Sequence, residues 1–460
     1  MLPVFAAAPA ILGVVFADPI DTIVKREMER SKVPGMTVAV VRDGKLVAKR
    51  AYGLADLELN AKMQPNDLFE IGSCTKQFTA FLSMLLVQDG KLDLDAPVST
   101  YIEGAPEAWK AIKVRNLLNQ NSGLPEYVQL PGLGLADEFD RAKWFGTVSK
   151  LPLDYPAGTA WAYSNTNYAL LGFIIEKVGD KPYTEQLTER VLKPLGMTQT
   201  RFQDTYQIWP RRAHGIIRQP DGSVLRVSGM TGSIQSDGTL VSNLTDLVKW
   251  DAALRERKLL KPESYAQLWA PGKLSNGLSK PYGMGWFLTG PDGPSYVGHA
   301  GASVGYGGGI ARFRDGQKGS ISVIVLSNQY AVQGEEIGKR IAEALDPSLK
   351  TPIPVVAADP NPERTAHLKE VIARLAANKP QPGDLDPAVA GPISSWRAQQ
   401  FPPFRGLAGI KEMAFAREDR VDGFTRLAYR LKTERGGTTA YFTLTPDGKL
   451  AAVQTRPDPQ

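Results

Sequence analysis

Hydrophobic and polar residues follow two distinct periods along the chain. Near the start, the β-branched stretch 38–41 runs into the turn sequence RDG, and apolar residues return at 46–47, which predicts a β-hairpin. Residues 296–328 again have the pattern of strands, centred on the β-branched run 321–325. Strands are therefore expected at both ends of the first 350 residues.

The segment between these strand regions has the period of helices. Apolar residues recur at helical spacing over 78–92 and 168–178. A further helix is predicted over 243–255, where Asn243 suits the N-cap position. We therefore expect a mixed α/β (α+β) fold, in which an antiparallel sheet with pairing terminal segments is flanked by helices and carries a helical insertion.

The composition changes at Thr351. The following stretch TPIPVVAADPNP carries four prolines, which is typical of an extended linker. Beyond it the pattern predicts a helix over 363–378 and alternating strands, which together make a small α+β module. The predicted organisation has four parts: a signal peptide (1–17), a main domain (18–350), a linker (351–362) and a C-terminal α+β module (363–460).

The N-terminal apolar run, 6–16, is too short to span a bilayer. The small residue Ala17 before Asp18 is typical of a signal-peptidase site, although no basic leader precedes the run. We expect an exported protein, periplasmic or secreted, that does not stay inserted in the membrane after the signal is removed. The alternative is a buried N-terminal helix in a cytoplasmic protein.

Composition excludes several function classes. The net charge of +6 is spread along the chain, and no basic-aromatic cluster predicts nucleic-acid binding. The single cysteine, Cys74, cannot form an internal disulfide, and His214, His299 and His367 are far apart in the sequence. No spacing predicts a metal site, so we expect chemistry without a metal or cofactor.

The strongest chemical candidate is the pair Ser73 and Lys76. Residues three apart lie on one face of a helix, so the lysine amine can reach the serine hydroxyl. A desolvated lysine near another cation can stay neutral and act as a base, and the free N–H groups of a helix start stabilise negative charge. A Ser-x-x-Lys sequence also occurs about once by chance in a chain this long.

Two later motifs offer complementary groups. Tyr163 and Asn165 supply a phenol and an amide, although both could simply cap a helix. The sequence GHAGA at 298–302 begins a strand, where Gly301 permits close backbone approach and the N–H of Ala302 could help to form an oxyanion hole. On its own, His299 could equally be a structural histidine.

Together, SCTK, YSN and HAG resemble the three signatures of the serine β-lactamase and penicillin-binding protein superfamily, in particular its class C β-lactamase-related esterase and D-peptidase branch. The resemblance implies Ser73 as nucleophile, Lys76 as general base and Tyr163 as proton donor or acceptor. It further implies that the substrate-binding residues are Asn165, His299, Gly301 and Ala302. The implied partner is a small-molecule or short peptide substrate; the sequence does not predict an oligomeric state.

The third motif departs from the class C pattern, because His299 stands where those β-lactamases carry lysine. A mostly neutral imidazole pairs poorly with the β-lactam carboxylate. We therefore expect a metal-independent serine hydrolase acting through an acyl-enzyme on an ester or D-amino-acid amide. The alternatives are a β-lactamase and a catalytically silent penicillin-binding-like protein.

Overall fold

The computed structural model describes residues 18–289, 293–316, 319–394, 404, 407, 409–433 and 436–458. The α-helices are α1 Pro19–Ser31, α2 Thr75–Gln88, α3 Val114–Leu118, α4 Arg141–Val148, α5 Asn165–Gly179, α6 Tyr183–Leu187, α7 Leu244–Arg255, α8 Pro262–Leu268, α9 Gly334–Leu345, α10 Pro362–Ala376 and α11 Pro387–Ser394.

The strands within the described ranges are β1 Gly35–Arg42, β2 Lys45–Asp56, β3 Ala61–Lys62, β4 Phe69–Glu70, β5 Arg201–Phe202, β6 Ile216–Arg218, β7 Val224–Arg226, β8 Leu240–Ser242, β9 Gly272–Lys273, β10 Ser279–Lys280, β11 Phe287–Leu288, β12 Tyr296–Ser303, β13 Tyr306–Gly316, β14 Gly319–Ser327, β15 Glu412–Val421, β16 Phe424–Thr433, β17 Gly436–Leu444 and β18 Leu450–Pro457.

The central sheet has the order β11-β12-β13-β14-β1-β2-β3, and each neighbouring pair is antiparallel. The two ends of the main domain pair directly, with Val38 of β1 opposite Val325 of β14. Both faces of β1 are covered. Val38 packs in a core with α1 and α9, whereas Ala39 points into the core formed by the insertion helices. This double burial explains the β-branched runs, and it confirms the predicted fold class.

The helical insertion packs on the second face of the sheet. Its centre is α2, where the ring of Phe78 stacks on Trp250 of α7 with centroids 4.2 Å apart. The predicted helix over 78–92 begins three residues earlier, at Thr75, and ends before Gly90, whose φ is +71°. The predicted N-cap is confirmed, since Asn243 Oδ1 accepts the backbone N–H of Asp246 at 3.0 Å.

The C-terminal part of the chain forms a second layered structure, in which α10 and α11 pack against the sheet β15-β16-β17-β18 with a hydrophobic core of their own. The predicted helix lies here, and the alternating strands predicted over 424–432, 438–445 and 450–454 correspond to β16, β17 and β18, whereas β15 was not predicted. Leu278, from the β9–β10 hairpin, is buried against Phe424 and Ala451 of this sheet. The division of the chain into domains at residues 350 and 363 stays a prediction.

Residues 1–17, the predicted signal peptide, lie outside the described residues. Across the ranges given above, each helix falls short of the length or the hydropathy that a membrane span requires.

Candidate active site

Ser73 lies in a 3-10 turn, Gly72–Cys74, that leads directly into α2. Gly72 has a φ of +51°, and a Cβ atom there would lie 2.4 Å from the backbone oxygen of Ala302. Only glycine fits this combination of backbone angle and contact. Gly301 is equally tight, because a Cβ atom there would lie 2.0 Å from the carbonyl oxygen of Ile71. The end of β12 therefore packs directly against the backbone that precedes Ser73.

The amine of Lys76 has three polar partners although the residue is fully buried. Its Nζ lies 3.2 Å from Ser73 Oγ, 2.6 Å from Asn165 Oδ1 and 2.6 Å from the backbone oxygen of Asp237. An amide oxygen and a backbone carbonyl can only accept hydrogen bonds, so each of these two contacts uses one N–H of the lysine. The third direction, toward Ser73, holds the lone pair when the amine is neutral, and that lone pair can accept the serine proton.

Burial lowers the pKa of Lys76 to about 8, and the nearby negative charges of Asp237 and Glu126 oppose this effect. From the sequence, both desolvation and a second cation are expected to keep Lys76 neutral. In the structure desolvation is the largest cause, and the charged neighbours that act on Lys76 raise its pKa rather than lower it. A substantial fraction of the lysine is therefore neutral from about pH 8 upward.

Tyr163 completes the group around the serine hydroxyl. Lys76 Nζ lies 5.0 Å from the centre of its ring, and its hydroxyl is within hydrogen-bonding reach of Ser73. Burial raises the pKa of the phenol well above its usual value, so the hydroxyl keeps its proton near neutral pH. The structure thus brings together four residues of two segments: Ser73 and Lys76 at the start of α2, and Tyr163 and Asn165 at the start of α5.

Gln120 holds the Tyr-x-Asn segment in place. Its Oε1 accepts the backbone N–H of Ser164 at 2.9 Å and the side-chain amide of Asn167 at 2.5 Å. Gln120 itself has a φ of +61°, so the loop that carries it is held in an unusual backbone conformation for a residue other than glycine. Ser164, between Tyr163 and Asn165, is thereby fixed from a second segment.

His299 lies beside the site but is only 1% exposed. Its Nε2 lies 3.2 Å from the hydroxyl of Tyr282, and its Nδ1 lies 2.6 Å from the carbonyl oxygen of Ala300. Burial lowers the pKa of the imidazole to about 3, so His299 is neutral at physiological pH. The structure places it as a neutral ring with both nitrogens occupied; its expected part in substrate binding and proton traffic stays a prediction.

Aromatic side chains line one side of the site. The ring centroid of Phe287 lies 4.9 Å from that of His299 and 4.9 Å from that of Tyr282. Its ring is stacked nearly parallel to that of Tyr163, with the centroids 6.3 Å apart. Trp161 lies 5.8 Å from Tyr282. This aromatic wall, formed by Trp161, Tyr163, Tyr282, Phe287 and His299, gives the site an apolar side next to the nucleophile.

Cys74 points away from the reacting groups. Its thiol is buried and donates to the carbonyl oxygen of His299 at 3.2 Å. Burial raises the pKa of the thiol, so Cys74 packs against β12 as an uncharged side chain.

Three further residues of the site, Glu126, Asp237 and Tyr282, are not predicted from the sequence. Glu126 lies in the stretch LLNQNSGLPEY, but nothing local indicates that this carboxylate is buried against Asn165. Asp237 contributes a backbone oxygen to Lys76, for which side-chain identity gives no signal. Over the described residues, no group of three or more histidine, cysteine, aspartate or glutamate side chains is arranged to hold a metal ion.

Comparisons with known proteins find a matching family and several relatives. The sequence profile of the family described as Beta-lactamase matches residues 20–346. Penicillin-binding protein 4* of Bacillus subtilis is 30% identical over 318 residues, which cover 64% of this chain and 68% of that protein. The putative penicillin-binding protein PbpX of the same organism is 29% identical, and the match spans 62% of its length, less than two thirds.

Solved structures show the same fold. The D-amino acid amidase of Ochrobactrum anthropi SV3, solved in complex with D-phenylalanine, is 28% identical with a TM-score of 0.60, and the match covers 71% of this chain and 98% of the amidase. The octameric penicillin-binding protein homologue of Pyrococcus abyssi matches 95% of this chain and 94% of its own with a TM-score of 0.63, at 22% identity.

Proposed function

Because the chain belongs to the beta-lactamase family of serine hydrolases, we propose that it hydrolyses an ester or a D-amino-acid amide through an acyl-enzyme on Ser73. The observation that carries the proposal is the set of contacts of Lys76. Asn165 Oδ1 and the backbone oxygen of Asp237 can only accept hydrogen bonds, so they take its two N–H groups. The lone pair of the neutral amine then points to Ser73 Oγ. A serine hydroxyl needs such a base to become a nucleophile.

In the acylation step, neutral Lys76 takes the proton of Ser73 while Oγ forms a bond to the substrate carbonyl carbon. The resulting oxyanion accepts hydrogen bonds from the backbone N–H groups of Ser73 and Ala302, whose segments are in contact. Tyr163 donates its proton to the leaving nitrogen or oxygen as that bond breaks and recovers a proton from Lys76. Water then attacks the acyl carbon on Ser73, and its proton passes through Tyr163 to Lys76. Lys76 returns a proton to Ser73 Oγ as the ester bond breaks and the carboxylic acid leaves.

The preference for amides and esters over β-lactams rests on the third motif, HAG, because its His299 is neutral. Class C β-lactamases carry a lysine where this chain has His299, and the buried imidazole supplies no positive charge for a β-lactam carboxylate. The aromatic wall suits an apolar group on the substrate. The similarity to a D-amino acid amidase supports the same substrate class.

The test is a panel of D-phenylalanine amide, L-phenylalanine amide, a chromogenic short-chain ester and a chromogenic cephalosporin, assayed with wild type and Ser73→Ala. The proposal predicts turnover of the ester and the D-amide that depends on Ser73, with the cephalosporin slower. Faster turnover of the cephalosporin than of the other substrates would instead make the protein a β-lactamase. Equal rates for wild type and Ser73→Ala on every substrate would support a catalytically silent protein.

We also propose that the protein is exported, on the evidence of the apolar run 6–16 before Ala17. Mass spectrometry of protein recovered from outside the cytoplasm tests this directly. A mature N-terminus at Asp18 is the expected result, whereas retention of residues 1–17 in cytoplasmic protein would contradict it.

A further inference from the structure

The two acceptors that orient Lys76 are themselves held by Glu126, the N-cap of the 3-10 turn Tyr127–Gln129, and by Tyr127, its first residue. We propose that Glu126 and the Tyr127–Asp237 pair are positioning residues that aim the Lys76 amine at Ser73 and stabilise the positive charge it gains during acylation. This inference rests on the proposed function and extends it to residues that touch neither Ser73 nor the substrate carbonyl.

Glu126 fixes the orientation of Asn165. Its carboxylate is buried, with 4% of the residue exposed, and Oε2 accepts both the backbone N–H of Asn165 at 3.1 Å and its side-chain Nδ2 at 3.0 Å. Because the NH₂ group of the amide is turned to the carboxylate, the oxygen Oδ1 must face Lys76. Oε1 of Glu126 accepts the N–H of Val128, which anchors the carboxylate in its own turn.

Tyr127 fixes the second acceptor. Its hydroxyl donates to Asp237 Oδ2 at 2.7 Å, and the backbone oxygen of the same aspartate accepts from Lys76. Ser236, the residue before Asp237, is hydrogen-bonded to both α2 and α5. Its backbone oxygen accepts from Thr79 Oγ1, and its hydroxyl donates to the backbone oxygen of Tyr168. The carbonyl that holds Lys76 is therefore rigidly placed.

The charges of these carboxylates act on Lys76 as well. When the lysine takes the Ser73 proton it becomes a cation in a buried site, where charge is costly without a compensating partner. Glu126 and Asp237 supply negative charge on that side of the amine, and both raise the pKa of Lys76 against the effect of burial. Burial raises the pKa of Asp237 itself to about 6, so this carboxyl is mainly ionised at pH 8.

Four other titratable groups near the amine are uncharged in this pH range. They are Cys74 just before α2, Tyr163 just before α5, Tyr168 on α5 and His299 on β12. Changes in the pH profile on substitution of Glu126 or Asp237 can therefore be assigned to the removed charge.

The experiment measures the pH dependence of Ser73 acylation by a fluorophosphonate probe, which needs the activated serine but no particular substrate. Glu126→Gln and Asp237→Asn keep side-chain size and remove one charge each. Both variants are expected to move the rise in acylation rate about one pH unit lower and to reduce the plateau rate. Tyr127→Phe, which keeps the charge, is expected to reduce the plateau without that displacement.

Asp246→Asn is the matched control. Its carboxylate is fully buried and accepts the backbone N–H groups of Gln199 and Thr200, not those of the groups that hold Lys76. It is expected to lower the melting temperature and to leave the profile in place. The proposal is overturned if the folded Glu126→Gln and Asp237→Asn profiles, scaled to the same plateau, superimpose on wild type. If Asp237→Asn does not fold, Glu126→Gln alone decides. If the protein turns over none of the proposed substrates but is labelled normally by the probe, the proposed substrates are wrong and this inference still holds.

Discussion

The amine of Lys76 lies 3.2 Å from the hydroxyl oxygen of Ser73, and its other two contacts are with groups that can only accept hydrogen bonds. This arrangement requires no reorganisation for proton transfer when the amine is neutral. Replacing Ser73 by alanine is expected to lower turnover by at least about a thousandfold and to abolish covalent labelling. Ser83→Ala, which alters a buried serine about three helical turns beyond Ser73, serves as the control and should leave both unchanged. Labelling that survives in Ser73→Ala would place the nucleophile elsewhere.

Above the pKa of Asp237, which burial raises to about 6, the pH profile should report Lys76. Because the base must be neutral and burial brings its pKa to about 8, kcat/KM is expected to rise about tenfold per pH unit below pH 8 and to level off above it. His299, with a pKa of about 3, adds no second rise between pH 5 and 9. The measurement needs a neutral ester, since the amine of an amino-acid amide titrates in the same range. A profile that is flat or falling through pH 8 would contradict a lysine base.

Tyr163→Phe separates two candidate roles of the phenol, which are protonation of the leaving group and activation of the nucleophile. An amide leaving group needs a proton more than an activated ester does, so the loss of activity should be larger for D-phenylalanine amide than for the ester. Tyr265→Phe removes another buried hydroxyl, which donates to the carbonyl of Lys258, and should affect neither substrate specifically. Equal losses on both substrates would restrict Tyr163 to activation of the nucleophile.

The structure explains which features the sequence could predict. The β1–β14 pairing follows from β-branched runs that are buried on both faces, and Ser73 and Lys76 follow from one-turn helical spacing. Glu126 and Asp237 could not be found this way. Asp237 meets Lys76 across 161 residues of sequence through a backbone oxygen, so neither periodicity nor residue type indicates the contact.

Cys74 is next to the nucleophile in sequence yet should not react. Its thiol is 1% exposed, and burial raises its pKa, so the thiolate that reacts with maleimides is scarce. N-ethylmaleimide is expected to leave activity intact and to label the protein only after denaturation. Rapid inactivation of the folded protein by this reagent would show that the packing around β12 opens in solution.

The C-terminal sheet is linked to the site through the β9–β10 hairpin. Asp422 accepts the N–H of Ser279 at 2.8 Å and Asp386 accepts Nδ2 of Asn276 at 2.9 Å, while Ser275 N–H donates to Gly158 in the loop that leads to Tyr163. The double variant Asp386→Ala/Asp422→Ala is expected to lower kcat/KM several-fold. Asp447→Ala, a change in an exposed turn of the same sheet, is the control. If steady-state kinetics show that the double variant and this control both match wild type, the link is rejected.

The most direct measurement is mass spectrometry of the intact protein, quenched during turnover of D-phenylalanine methyl ester and followed by peptide mapping. If Ser73 is the nucleophile and Lys76 its base, we expect a single D-phenylalanyl adduct on Ser73. This adduct should be absent from Ser73→Ala and accumulate far more slowly in Lys76→Ala. Turnover of the ester with no adduct, or with the adduct on another residue, would contradict this assignment.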